Sequence, residues 1–546
     1  MKMFINAAMV SLLLFPLACS ESAVEIEVLA APSREGWDSA AASPGFTLVR
    51  SLRSKRAHLV DMSGTSVHSW TSSGVPSGGR YLTERGTLLQ GLEVQDQAVF
   101  RGGGKSGGIE ELDWDGTLLW TFNWHSEEGL SHHDIEELPN GNVLMIAWDR
   151  YTREEALASG RDPELLGGQE FWPDAVYEIK PTRPEGGEIV WSWHAWDHLV
   201  QNFDSKAPNF AEPSSRPERI DINGDRNPEP PSMEEEKKEQ DQMAALGYIG
   251  DEPDDAVEMD AEQIKEAAFK ARIKDADWMH TNGIDYNASL DQIVISVRRF
   301  DEVWIIDHST TTEEAASSNG GRYGKGGDLL YRWGNPYAYG MGSWEDRQLL
   351  GQHNVQWIPE GMLGGGSLLV FDNGTEKDRA WSVVKEWWPP RDVQGNYLRE
   401  EGRPFGPVQT SWSYTAEEPT DFFSSFISGV QRLPNGNTLV CAGKQGWVFE
   451  VSPAGELMWD WLNPYGLDPE VDEPNEDPGS SELNPTALFR AVRYGSDHPA
   501  LRALREKGAL IPGDPGAGPA TNQFVKPEES PEELPEEASG ESGEGD

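Results

Sequence analysis

The chain has 546 residues, enough for several domains or for one large domain built from repeats, and a formal net charge of −48. That charge excludes the phosphate backbone of a nucleic acid as the natural partner. Two cysteines, one of them in the leader, exclude a disulfide framework.

The N-terminus reads MKMFINAAMVSLLLFPLACS, with Lys2 ahead of an apolar run from Ala7 to Ala18. The run is too short to span a membrane, and Leu17-Ala18-Cys19 resembles a bacterial lipoprotein cleavage site, with Pro16 where Leu is usual. A signal over 1–19, lipidation of Cys19 and export are expected, to the periplasm or the outer membrane, with plain secretion as second choice. The lipid would be the sole membrane contact. A linker follows over 20–44. Abundant Gly (57) and Trp (22), with few helical patterns, predict an all-β chain.

From residue 45 a unit recurs: a short apolar strand, a turn with Gly, then a strand ending in aromatics. Clear copies are GIEELDWDGTLLWTFNW (108–124), AVYEIK with GEIVWSWHAW (175–180 and 187–196), VWIIDH with GDLLYRWGNP (303–308 and 327–336) and WVFEVSPAGELMWDWLNP (447–464). Weaker copies start at Ala57 and Trp381, which makes six. Other strand pairs lie between them, two of which share LPNGN, at 138–142 and 433–437. Asn140-Gly141 and Asn435-Gly436 predict two-residue hairpin turns. Four antiparallel strands per repeat, arranged radially, predict a six-bladed β-propeller over 45–510. The Trp-x-Trp endings fit blade-to-blade packing. The first copy lacks an inner strand, and the segment at about 482–510 is expected to supply it and close the ring. An acidic insertion at about 202–275 separates repeats three and four, and an acidic tail over 511–546 is expected to be disordered. DINGD at 221–225 has oxygen side chains like those of a calcium loop but lacks the full spacing. Cys441 lies in an apolar run and reads as core.

Aligning the inner strands on their Leu/Ile-Pro pairs puts His133, His353 and Ser428 at one position. Asn282 falls there in repeat four, with His280 two residues earlier. A two-residue step keeps one face of a strand, about 6–7 Å along. His133, His280 and His353 are therefore expected to converge at one mouth of the channel, and His132, of opposite parity, to point away. The next strand returns to that mouth, bringing Arg298 or Arg299 beside His280; its equivalents elsewhere are Trp148, Asn373 and Gly443. Three imidazoles and a guanidinium suit a tetrahedral oxyanion such as sulfate or phosphate. They also fit Zn²⁺ or Mn²⁺, so a metal-dependent propeller enzyme stays open. So does a non-catalytic binding propeller whose working surface is the insertion. Trp357 is a candidate to stack on a substrate.

At these residues the sequence resembles the bacterial arylsulfate sulfotransferases, the group that uses no nucleotide sulfate donor. The resemblance rests on HHDIEELPNGN (132–142), HTNGIDYN (280–287) with SVR (296–298), QHNVQWIPEG (352–361) with FDNG (371–374), and NPTALFRAVRY (484–494). It implies a six-bladed propeller that moves a sulfuryl group between phenols by a ping-pong route, with aryl sulfates and phenols as small-molecule partners and no cofactor. His353 would be the nucleophile that becomes a sulfohistidine. His133, His280 and Arg298 would hold sulfate oxygens and move protons, with His132, Asn282, Arg299, Asn373 and Trp357 as candidate substrate contacts. Some family members carry a disulfide, and this chain has no pair for one.

Overall fold

The computed structural model describes residues 41–52, 54–94, 99–228, 271–272, 274–469 and 484–502. The leader with Cys19, the acidic tail and most of the insertion lie outside them. Six four-stranded antiparallel sheets form a six-bladed β-propeller. From the channel outward, blade two is Pro76–Leu82, Leu88–Glu93, Gly107–Leu112 and Leu118–Asn123. Blade three is Gly129–Glu137, Val143–Asp149, Asp174–Pro181 and Gly187–His194, and blade four is Thr281–Asn287, Gln292–Val297, Glu302–Asp307 and Tyr331–Trp333. Blade five is His353–Trp357, Leu368–Asp372, Val383–Trp387 and Trp412–Tyr414; blade six is Gly429–Arg432, Thr438–Ala442, Trp447–Val451 and Leu457–Leu462.

Blade one joins the two ends of the described chain. Its inner strand is Val492–Tyr494, paired antiparallel with Phe46–Val49, and Arg56–Val60 and Ser66–Thr71 follow outward. Arg493 locks this closure to blade six. Its guanidinium bonds Glu450 Oε2 at 2.5 Å and lies 4.3 Å from the Trp459 ring.

The aromatic strand endings have a repeated task. In every blade one outer-strand tryptophan donates its indole N–H to a carbonyl in the outer turn of the next blade. Trp70 reaches Asp113 at 3.1 Å, Trp120 reaches Gly186 at 2.8 Å, and Trp193 reaches Gly327 at 2.8 Å. Trp333 reaches Pro407 at 2.8 Å, Trp412 reaches Pro453 at 3.0 Å, and Trp459 returns to Met62 at 3.0 Å. Each such bond contributes about 1 kcal/mol, and the ring burial around it more. Bond and packing together staple neighbouring sheets.

LPNGN is an architectural turn, though not of the expected type. Gly141 N–H bonds Leu138 O at 2.8 Å, and Leu138 N–H bonds Asn142 O at 2.8 Å. Gly141 takes φ +82°. This is a type I turn closed by a left-handed glycine, because Pro139 fixes the negative φ that the mirror-image turn cannot accept. The final Asn of each copy reaches the third strand of its blade: Asn142 Nδ2–H donates to Glu178 Oε1 at 2.5 Å, and Asn437 Nδ2–H to Glu450 Oε1 at 2.6 Å. The 221–225 loop is structural too. The Arg161 guanidinium forks the Asp225 carboxylate, and Asn223 Oδ1 accepts the Asp162 N–H at 2.8 Å. Cys441 is buried, and burial pushes its thiol up to about 12.

Candidate active site

The inner strands of blades three, four and five begin at the same mouth of the channel, and their histidines meet there. The His133 and His280 rings stand edge to face with centroids 4.6 Å apart. His353 is close enough to share the field of both His280 and Arg298. Arg298 opens a short 3-10 turn, Arg298–Phe300, directly after the second strand of blade four. Its Nε lies against Gly351, two residues before His353. The three imidazoles are 3%, 7% and 4% exposed for His133, His280 and His353, so they face a narrow space. Arg298 is half-buried, and its guanidinium has no carboxylate or hydrogen-bond partner among the described residues.

The backbone that aims these groups is irregular. Every inner strand from blade two to blade five carries a bulge near its start. In blade three His132 faces Ile146 and Ile135 faces Met145, so His133 and Asp134 are extra residues. His133 sits at φ 55°, Asn354 at 53° and His280, just ahead of its strand, at 52°. A left-handed non-glycine residue costs about 1–3 kcal/mol and persists where surrounding contacts over-determine it. Gly104 of blade two supplies one such contact. Its carbonyl accepts the His133 N–H at 2.8 Å, and a Cβ at 104 would lie 2.4 Å from the His133 ring. The bulge also defeats the alternation that set His132 apart. His132 and His133 are both buried, with their Nδ1 atoms 2.7 Å apart.

Each imidazole has a distinct backing. His353 Nδ1 lies 2.8 Å from Asn373 Oδ1 and 3.1 Å from Gly351 O. Asn373 cannot be turned the other way, because its Nδ2–H donates to Ser424 O at 2.7 Å and to Ile427 O at 3.0 Å. Two acceptors at Nδ1 require the proton there. The lone pair of Nε2 is thus left free, with no protein partner among the described residues. His280 Nδ1 lies 2.5 Å from Asp277 Oδ2, while Asp277 Oδ1 accepts the Trp148 indole N–H at 3.0 Å. His132 stacks on the Trp148 ring at 4.2 Å, behind His133.

The electrostatics follow from burial and from Arg298. Desolvation first, then the charges of His280, His132, His353 and Arg298, hold His133 well below the usual imidazole value. Desolvation and then Arg298 hold His353 well below it as well. His280 is lowered by desolvation, with Arg298 and Arg299 adding to it against the pull of Asp277. Burial alone would raise the Asp277 carboxyl, but His280 and Arg299 bring it below its usual range. At neutral pH the mouth therefore holds neutral imidazoles and one unpaired guanidinium, which is a site for an anion.

Other expected contacts stand elsewhere. Asn373 and Asn282 are fully buried behind the channel wall, and the Asn282 amide N–H donates to Gln352 O at 2.8 Å. They orient other groups and do not line the mouth. Arg299 is exposed, its backbone N–H tied to Met279 O at 3.0 Å. Trp357 is four residues beyond His353 on the same strand, about 13 Å away. There it packs in the core with Val355, Leu368 and Trp387, beneath the Arg391 guanidinium at 6.0 Å. In blade six Ser428 takes the histidine position, and its hydroxyl is engaged by Ser424 Oγ at 2.8 Å and Gly443 N–H at 3.0 Å. Asp174, Asp277 and Trp148 back the site without any motif to mark them. Among the described residues no group of three His, Cys, Asp or Glu is arranged to hold a metal ion. A cation there would also face the charge of Arg298.

Similar solved structures include a protein of unknown function from Bacteroides caccae, at 11% identity and TM-score 0.39, covering 83% of this chain and 99% of that one. Virginiamycin B lyase from Staphylococcus aureus matches at 7% identity and TM-score 0.33, covering 81% and 89%. A putative 6-phosphogluconolactonase from Bacteroides fragilis matches at 11% and 0.33, covering 85% and 99%. Likeness at this level carries no argument about function. No curated protein matches the sequence. The family model for arylsulfotransferase (ASST) matches residues 81–459, which take in the mouth histidines, Arg298 and Asn373. The chain belongs to the arylsulfotransferase family.

Proposed function

We propose that the protein moves a sulfuryl group from a phenolic sulfate ester to a phenol by double displacement through Nε2 of His353. One observation carries this reading: Asn373 and the Gly351 carbonyl fix the proton on Nδ1, so a neutral nucleophilic nitrogen faces the unpaired Arg298. In the first half-reaction the Nε2 lone pair attacks sulfur and the S–O bond to the aryl group breaks. The phenolate leaves with the bonding pair and takes a proton from the site. In the second half-reaction an acceptor phenol gives up its proton, its oxygen attacks the sulfohistidine, and the N–S bond breaks. Arg298 stabilises the sulfuryl oxygens, and His280 joins it as a donor only in its protonated form, whose charge the Asp277 carboxylate balances. His133 is placed to exchange the phenolic proton. In-line positioning and oxygen-charge stabilisation dominate such transfers, as in phosphoryl transfer.

The test is incubation with 4-nitrophenyl sulfate and a second phenol. The expected result is nitrophenol release that depends on the acceptor, with the sulfated acceptor as product. Donor left intact, or hydrolysis at the same rate with and without acceptor, would contradict the reading.

A pH profile checks the neutral nucleophile. The folded-state value of His353 is depressed, so its reactive form is fully present above the ordinary imidazole value of about 6.5 and persists well below it. Donor kcat/KM is expected to stay flat as pH falls through 6.5 and to drop only at lower pH. A loss of rate as pH falls through about 6.5 would show an imidazole of ordinary basicity attacking sulfur.

A further inference from the structure

We propose that His132, held between Asp174 and His133, is a relay residue that switches His133 from acid to base between the two half-reactions. The proposal rests on the sulfuryl-transfer reading above. Three observations carry it. The Nδ1 atoms of His132 and His133 are 2.7 Å apart, so one must donate and the other accept. The tautomer that His133 shows to the channel is therefore set by His132. On its far side His132 Nε2 lies 3.4 Å from Asp174 Oδ1. Neither atom makes a hydrogen bond to any described residue, the other of the pair included, although His132 is 1% and Asp174 2% exposed. The other oxygen, Oδ2, is satisfied by the Thr281 N–H at 2.8 Å. A buried, unsatisfied carboxylate oxygen 3.4 Å from a buried, unsatisfied imidazole nitrogen leaves room for a proton shared between them. Finally, the His132 ring is sealed against Trp148, so its proton exchanges through His133.

The protons balance through both steps. Before transfer His132 carries protons on Nδ1 and Nε2 and pairs with the Asp174 carboxylate. His133 accepts at Nδ1 and presents Nε2–H to the channel. As the S–O bond breaks, the phenolate oxygen takes the Nε2 proton of His133, and His133 Nδ1 takes the Nδ1 proton of His132. His132 is left neutral with Nε2–H toward Asp174, and His133 Nε2 now has a lone pair. That lone pair accepts the proton of the incoming phenol. The Nδ1 proton of His133 then returns to His132 as the N–S bond breaks, and no proton is gained or lost over the cycle.

A relay that protonates the leaving group matters more as that group becomes more basic, whereas a packing role does not discriminate. The experiment is the single-turnover donor half-reaction of H132Q, with phenyl sulfate and with 4-nitrophenyl sulfate. Glutamine can bond both neighbours but cannot carry the proton. The expected loss is about a hundredfold with phenyl sulfate and about fivefold with 4-nitrophenyl sulfate. D174N, which removes the stabilising charge with little change of shape, is expected to show the same ordering and to read the relay should H132Q fail to fold. Equal losses with the two donors, or none, would overturn the relay. A wild type inert to both donors would instead overturn the sulfuryl-transfer reading, and no variant is needed to see that.

Discussion

The His353→Ala variant is expected to lose about 10⁵-fold or more in donor kcat/KM, as enzymes do when the nucleophile of a covalent route is removed. The size of the effect follows from the geometry. His353 is the imidazole whose Nδ1 is locked by two acceptors, so its Nε2 has no role other than to face the channel. The fold should tolerate the change, because the neighbouring sheets are held by the tryptophan staples and the blade ladder. Thermal melting of the variant against wild type checks this. A variant within tenfold of wild type would place the attacking atom elsewhere.

The second large effect is at Arg298. Removing a donor that stabilises transition-state charge costs about 10²–10³ in rate, and Arg298→Ala is expected to fall in that range. Arg298→Lys keeps the charge but loses the planar fork, and should retain part of the activity. The stability readout runs the other way. Arg298 has no carboxylate partner among the described residues, and its field opposes protonation of the buried imidazoles around it. Its loss leaves no orphaned counter-charge, so the melting temperature should hold or rise. Contrast Arg490, whose guanidinium bonds Asp134 Oδ2 at 2.8 Å inside the channel; removing that partner would strand a buried carboxylate. A melting temperature lowered by Arg298→Ala with activity unchanged would identify Arg298 as a structural cation.

The six-fold count was legible because its signals are local: a turn with Gly, an aromatic strand ending, and LPNGN twice. The gathering of His133 and His353 was legible because both precede the Leu/Ile-Pro pair by five residues. Arg298 could be found by following the hairpin back to the mouth. What was not legible has one main cause. Strand parity fails across a bulge, and these inner strands are bulged at the residues that matter. Hence His132, read as pointing away, is the close neighbour of His133, and Asn282 backs the wall; Asn373, just past an unbulged second strand, is turned back by its bonds to His353, Ser424 and Ile427. Trp357 misled for a different reason. Its strand begins at the site but runs away from it, and the tryptophan belongs to the core between blades four and five. Asp174 and Asp277 were out of reach because each serves a histidine on a different strand or beyond a strand end. Asp174 lies two strands from His132 in the blade-three sheet and 42 residues later in the sequence, so sheet pairing, not a local motif, brings them together.

The central claim is that the sulfuryl group rests on one nitrogen of one residue. The direct measurement is peptide mapping after a single turnover with 4-methylumbelliferyl sulfate, without acceptor, quenched under conditions that preserve N–S bonds. The account predicts one SO₃ adduct, on Nε2 of His353, which disappears when a phenol is added before the quench. An adduct on His133, His280 or Nδ1 of His353, or turnover with no adduct at any residue, would contradict it.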